Sequence, residues 1–108
     1  MKKKIVIFGS TGSIGKNILN ILKKDKNKIQ ILLLTANTNY HEILKQVKIF
    51  DVKFIRIKDK IRNSFFSWVN KQEAKKYILS YDQATIEFGA DGAFFVYLRK
   101  KKTNVQQA

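Results

Sequence analysis

Two kinds of apolar pattern alternate along the first half of this chain, and each change marks an element. Ile5-Val6-Ile7-Phe8 is a continuous, largely β-branched run, which predicts a buried strand of a parallel sheet over Lys4–Phe8. Gly9-Ser10-Thr11-Gly12-Ser13-Ile14-Gly15 follows it directly. From Ser13 onward Ile14, Ile18, Ile21 and Leu22 recur at helical spacing, with Lys16, Asn17, Asn20, Lys23 and Lys24 opposite them. That predicts an amphipathic helix whose apolar stripe faces the core and whose cationic end suits its dipole. Lys26–Lys28 is a polar connector to a second continuous run, Ile29–Leu34, which ends at Thr35-Ala36-Asn37. Asn39 with Glu42 three positions on forms a capping box. Behind it Ile43, Leu44, Val47 and Phe50 predict a second amphipathic helix, and after Asp51 the segment Lys53-Phe54-Ile55-Arg56-Ile57 reads as a third strand.

A β-α-β-α-β order over residues 1–60 is the mononucleotide-binding half of an α/β, Rossmann-like three-layer fold with right-handed crossovers. Residues 61–108 form a divergent continuation of the same domain. There Phe65, Trp68, Val69, Tyr77, Ile78 and Tyr81 fit one helical stripe. Thr85–Phe88 and Ala93–Leu98 read as a hairpin around Gly89-Ala90-Asp91-Gly92, and Arg99–Ala108 as a basic, fraying tail. In a doubly wound sheet the first strand has a neighbour on each side, so Ala93–Leu98 or Thr85–Phe88 is expected to pair with Ile5–Phe8.

Composition narrows the function classes. A chain of 108 residues supports one core, and 44% apolar residues give it the material to fold. It has no cysteine, which removes disulfides, thiol nucleophiles and thiolate-held zinc. Met1-Lys2-Lys3-Lys4 precedes too short an apolar run for a secretory leader, and no window approaches the roughly 18 apolar residues of a membrane helix. The expectation is a cytoplasmic protein. The net charge of +14 comes from 22 Lys and Arg against 8 acids. All but three of the basic residues are Lys, scattered over every segment, with runs only at Lys2–Lys4 and Arg99–Lys102. Such scatter reads as compositional bias, though a basic surface would attract a phosphorylated ligand.

The chemistry sits in the glycine stretch. A strand, a glycine-rich turn and a helix put free N–H groups and a helix N-terminus against a phosphate. Gly12 lets the backbone approach a pyrophosphate and Gly15 lets the helix pack on the strand. Ser10, Thr11 and Ser13 add hydroxyls. The end of the second strand sharpens the ligand, because an NAD enzyme places an acid there to hold the ribose 2′-OH. Thr35, Ala36, Asn37, Thr38 and Asn39 contain none, which favours NADP(H), yet they contain no Arg or Lys either.

Lys-Ile-Val-Ile-Phe before Gly9–Gly15, then Leu34-Thr35-Ala36-Asn37-Thr38-Asn39 and Glu42-Ile43-Leu44-Lys45-Gln46, resembles the N-terminus of 1-deoxy-D-xylulose 5-phosphate reductoisomerases. The resemblance covers residues 1 to 58. It implies NADPH contacts at Thr11, Gly12, Ser13 and Ile14, and around Asn37, Thr38 and Asn39, where the family commonly carries Lys or Arg at the place of Thr38. Gly9, Ser10, Gly15 and Ala36 complete the candidate cofactor-binding set. For a full-length member it further implies homodimerisation, a Mg²⁺ or Mn²⁺ site, and reduction of 1-deoxy-D-xylulose 5-phosphate to methylerythritol phosphate in isoprenoid synthesis. The metal motif has no match here, so neither Asp82, Glu87 and Asp91 nor His41 takes a metal or catalytic role, and this chain alone is expected to bind rather than catalyse. Two rival expectations are a basic nucleic-acid-binding module using Lys2–Lys4, Arg99–Lys102 and Phe65, Phe66 and Trp68, and a non-functional gene fragment.

Overall fold

The computed structural model describes residues 2–59, 63–83 and 92–100. Its elements in order are β1 (Lys3–Ile7), α1 (Ser13–Leu22), a single 3-10 turn (Lys23–Asp25), β2 (Ile29–Ala36), α2 (Tyr40–Ile49), β3 (Val52–Lys58), α3 (Asn63–Val69), α4 (Gln72–Lys75), β4 (Ile78–Gln83) and β5 (Ala93–Leu98). One five-stranded sheet has the order β1-β2-β3-β5-β4. β1, β2 and β3 are parallel, while β5 runs antiparallel to both β3 and β4.

The register shows why the continuous apolar runs behave as alternating ones. One row across the sheet is Ile7, Leu34, Ile55 and Val96, no member more than 4% exposed. The adjacent row, on the other face, is Val6, Leu33, Phe54 and Tyr97, with Val6 44% exposed and the other three half-buried. Right-handed crossovers along one direction of a sheet put α1 and α2 on the same side. A cavity of about 310 Å³ between them is lined by Leu19 and Asn20 from α1 and Gln46 and Ile49 from α2. The first face is therefore core and the second is not covered by any described helix. β1 is correspondingly exposed on one face, which corrects the buried strand that its continuous apolar run predicts.

α1 carries two adjacent apolar stripes, and the structure buries the less obvious one. Gly15 and Leu19 are buried with Leu22 packed beside them, whereas Ile14, Ile18 and Ile21 are 77%, 42% and 66% exposed. Of the expected core stripe, Ile14, Ile18 and Ile21 thus lie on the outer face, while Leu22 packs inward. α2 behaves as its pattern indicates: Ile43, Leu44 and Val47 are buried, and Asn39 Oδ1 accepts from Glu42 N at 3.3 Å. The return arm of the capping box is not formed, because Glu42 Oε2 instead accepts from Gln46 Nε2 at 3.2 Å.

Two expectations for the second half are corrected. The single helix through residue 81 ends at Val69, followed by the short α4, and Ile78 and Tyr81 belong to β4. A register shift between Ile78 and Ser80 puts two residues of a strand three apart on one face, which imitates helical spacing. Tyr81 thereby reaches Phe65, ring centroids 5.2 Å apart. Second, β5 does not pair with β1. It joins the opposite edge at β3, where Val96 and Phe94 continue the buried rows of Ile55 and Ile57. A hairpin that follows β3 through short helices reaches that neighbouring edge, whereas β1 lies across the sheet. Among the described strands β1 pairs with β2 alone. The predicted hairpin partner Thr85–Phe88 lies outside the described residues; the described partner of β5 is β4.

The core closes where α3 meets β5. Phe65 is fully buried and stacks on Phe94 with centroids 3.8 Å apart, and the buried Trp68 lies beside Phe65 with centroids 6.2 Å apart.

Candidate functional site

The chain leaves β1 through Gly9, whose φ of +66° lies in the left-handed region where a side chain is strained. Two bonds to β2 hold the turn: Gly9 N donates to Thr35 Oγ1 at 2.8 Å, and Ser10 N to Thr35 O at 2.9 Å. A third comes from α2, where the buried Gln46 donates from Nε2 to Ser10 O at 2.8 Å. Gly12 N closes on Gly9 O at 3.1 Å, and Gly12 then becomes the N-cap of α1.

That helix start is open. Lys16 N bonds Gly12 O at 2.9 Å, so the N–H groups of Ser13, Ile14 and Gly15 precede the first i→i−4 bond of the helix. Among the described residues no side chain caps them, and the first turn holds no acid. An uncapped N-terminus with its partial positive charge attracts an anion.

The three glycines do different work. A Cβ on Gly15 would lie 2.3 Å from Gly9 O and 2.8 Å from Ser10 Cα, so this position is occupied by the turn itself. A Cβ on Gly12 would meet only Gly9 O, at 3.4 Å, and leaves the backbone there open to an approaching group.

Beside the turn is a groove of about 440 Å³. One wall is Gly9, Thr11 and Gly12, the other is the 35–39 segment, and Arg56 and Lys58 of β3 complete it. Of the residues singled out from sequence, Gly9, Thr11, Gly12, Ala36, Asn37, Thr38 and Asn39 line this groove. Ser10, Ser13, Ile14 and Gly15 do not: Ser10 is fully buried with its hydroxyl unpartnered, Gly15 is buried, and Ser13 and Ile14 stand exposed at the helix start. Sequence reasoning missed Gln46, Arg56 and Lys58. The first looks like any helical amide, and the other two alternate with Ile55 and Ile57 as a solvated strand face would.

A polar knot fixes the second wall. Asp59, 2% exposed, accepts from Tyr40 Oη and from Ser64 Oγ, each at 2.5 Å, and its N–H donates to Gly92 O at 2.7 Å. Tyr40 opens α2 directly after Asn39 and packs on Trp68 with centroids 5.0 Å apart. Burial first, then the hydrogen bond and charge of Asp59, push the Tyr40 phenol far above its ordinary range, so it remains a neutral donor.

The rival nucleic-acid surface loses its stacking residues. Phe65 and Trp68 are core, Phe66 is half-buried, and Lys2 is engaged by Asp51 at 3.1 Å. His41 is exposed on α2 and Asp82 on β4, while Glu87 and Asp91 lie outside the described residues. No three His, Cys, Asp or Glu side chains converge as metal ligands among the described residues. None of the described helices is long and apolar enough to cross a membrane.

A sequence model of 1-deoxy-D-xylulose 5-phosphate reductoisomerase matches residues 5–97, spanning both the groove and the β4–β5 hairpin. The chain belongs to that reductoisomerase family. The reductoisomerase of Pelagibacter ubique is 54% identical over 63 residues, which is 58% of this chain and 16% of that protein. The Thermodesulfovibrio yellowstonii enzyme is 41% identical over 58 residues, 54% of this chain and 15% of that protein. Among solved structures, the reductoisomerase from Zymomonas mobilis in complex with NADPH superposes with a TM-score of 0.56 at 25% identity, covering 65% of this chain and 19% of that one. The chain thus spans about a sixth of the length of the reductoisomerases it matches. The α/β fold with its mostly parallel sheet is that of the family's NADPH-binding, Rossmann-like domain.

Proposed function

We propose that this chain is the NADPH-binding part of a 1-deoxy-D-xylulose 5-phosphate reductoisomerase, with the pyrophosphate seated on Gly9–Gly12 and the first N–H groups of α1. The adenosine half lies along Ala36, Asn37, Thr38 and Asn39. The observation that carries this reading is the uncapped, acid-free start of α1 opening beside a groove walled by glycine backbone. The NADPH complex of the Zymomonas relative supports the choice of dinucleotide. Gly12 fits the group because its missing side chain is what leaves the groove open there.

Bound NADPH would supply a hydride for reduction in a full-length enzyme. This chain's residues contribute binding and orientation: Thr35 and Gln46 hold the turn rigid, and the Tyr40–Asp59–Ser64 knot holds the facing wall. Turnover of 1-deoxy-D-xylulose 5-phosphate, its Mg²⁺ or Mn²⁺ and any homodimer are proposed for the full-length enzyme, in the cytoplasm where NADPH is drawn upon. The test is titration of the purified chain with NADPH, followed by cofactor fluorescence, beside Gly12→Val. Saturable binding that Gly12→Val abolishes while the fold persists is expected. No saturable binding, or equal binding by the variant, overturns the reading. Salt-steep binding of a random oligonucleotide in its place would carry the nucleic-acid alternative.

A further inference from the structure

We infer that Arg56 and Lys58, on β3, read the 2′-phosphate of the adenosine ribose and make the groove selective for a phosphorylated dinucleotide. This deepens the proposal above and rests on it.

The segment after β2 poses a problem that the structure resolves. In dinucleotide-binding sheets an acid near the end of the second strand holds the ribose 2′-OH, or a nearby Arg takes the 2′-phosphate. Thr35 to Asn39 offers neither an acid nor a base. Arg56 is the register partner of Thr35 on the adjacent parallel strand, and Lys58 follows two residues later on the same face of β3. Both line the groove together with Thr35 and Asn37–Asn39. The positive charge absent from the loop is therefore supplied by the neighbouring strand.

The chemistry of the pair suits a phosphate. Neither side chain has an ion-pair or hydrogen-bond partner among the described residues, so their charges are uncommitted. The nearest acid in sequence, Asp59, is buried and engaged by Tyr40 and Ser64. Arg56 is half-buried between the register positions of Thr35 and Phe95, which limits the conformations of its stem and favours a fixed, two-pronged guanidinium. Lys58, exposed at the strand end, adds a mobile point charge. A free ribose hydroxyl would gain little from two cations, whereas a dianionic phosphate gains from both.

The experiment compares Kd for NADPH and NADH on the whole chain, wild type beside Arg56→Gln, Lys58→Gln and the double variant, each checked for folding by thermal melt. Wild type is expected to prefer NADPH by at least about tenfold, with the double variant losing that preference and keeping its NADH affinity within about twofold. Lys58→Gln, at an exposed site, is expected to fold and to lose part of the preference. Arg56→Lys retains more of it than Arg56→Gln. The inference is overturned if wild type binds NADH as well as NADPH, if the preference survives in the double variant, or if both affinities fall together. Binding of neither dinucleotide by wild type would overturn the site itself, an outcome distinct from the others.

Discussion

Gly15→Ala is the substitution that most directly tests how the turn and α1 are built. Elsewhere in a helix the change from Gly to Ala gains up to about 1 kcal/mol of propensity. Here the new Cβ would stand 2.3 Å from Gly9 O, 2.8 Å from Ser10 Cα and 3.0 Å from Gly9 C, all backbone atoms. Carbon and carbonyl oxygen ordinarily approach to about 3.3 Å, so helix and turn must separate by roughly 1 Å. Neither can yield alone. Ser10 is held by its bond to Thr35 O and by Gln46, and Gly9 by Thr35 Oγ1, so separation breaks or stretches these bonds as well. Overpacking of this kind costs about 1–3 kcal/mol and occasionally more, and the bonds to the turn add to it. The net expectation is a loss of about 2 kcal/mol, which at about 4–8 °C per kcal/mol for a domain of this size lowers Tm by about 10 °C. Gly12→Ala is the internal control, since its Cβ meets nothing nearer than 3.4 Å and its φ of −77° suits any residue. Far-UV circular dichroism melts of the three proteins give the answer. A Gly15→Ala protein melting within about 2 °C of wild type, or a Gly12→Ala protein melting lower than Gly15→Ala, refutes the close approach of turn and helix.

Tyr40→Phe removes one of the side-chain donors to Asp59 and is expected to cost about 1–3 kcal/mol. Because folding raises the Tyr40 pKa above its unfolded value near 10, the contribution is complete below about pH 10 and is lost as pH climbs beyond it. Urea midpoints of wild type and Tyr40→Phe should therefore stay apart up to about pH 10 and converge above it; a gap that grows with alkali sinks the argument. The exposed apolar side chains of Phe8 (74%), just after β1, and of Ile14 (77%) and Ile21 (66%) on α1 should make the purified chain self-associate as concentration rises. Ile14→Lys with Ile21→Lys should restore a monomer by light scattering at a stability change within about 0.5 kcal/mol, and a wild type that stays monomeric at every concentration contradicts this.

What could be read from sequence was whatever one segment decides by itself. The glycine turn, the Asn39 cap and the three parallel strands are local patterns, and each stands in the structure. Legibility failed where a second segment decides. Ile14, Ile18 and Ile21 announce an apolar face but not whether anything covers it, and a small residue, Gly15, marks the side that is covered. Ile78 and Tyr81 were helical in spacing because a register shift, which needs β5 as its partner, adds a residue between them. Arg56 and Lys58 looked like a solvated strand face, since only the pairing of β2 with β3 brings them to Thr35.

The same distinction explains how the second half of the chain bears on the groove. Every described residue lining the groove falls between Gly9 and Lys58, so the described surface of the site is confined to the first half. Its rigidity is not. Phe94 of β5 stacks on Phe65 of α3, Ser64 precedes Phe65 and donates to Asp59, and Asp59 follows Lys58 directly. Asp59 also accepts from Tyr40, the residue after Asn39. The hairpin therefore braces both the 35–39 wall and the end of β3 through one buried carboxylate. Loosening Phe94 should weaken cofactor binding without touching the cofactor, whereas trimming Ile18 or Ile21, which stand outside that chain of contacts, should leave binding unchanged.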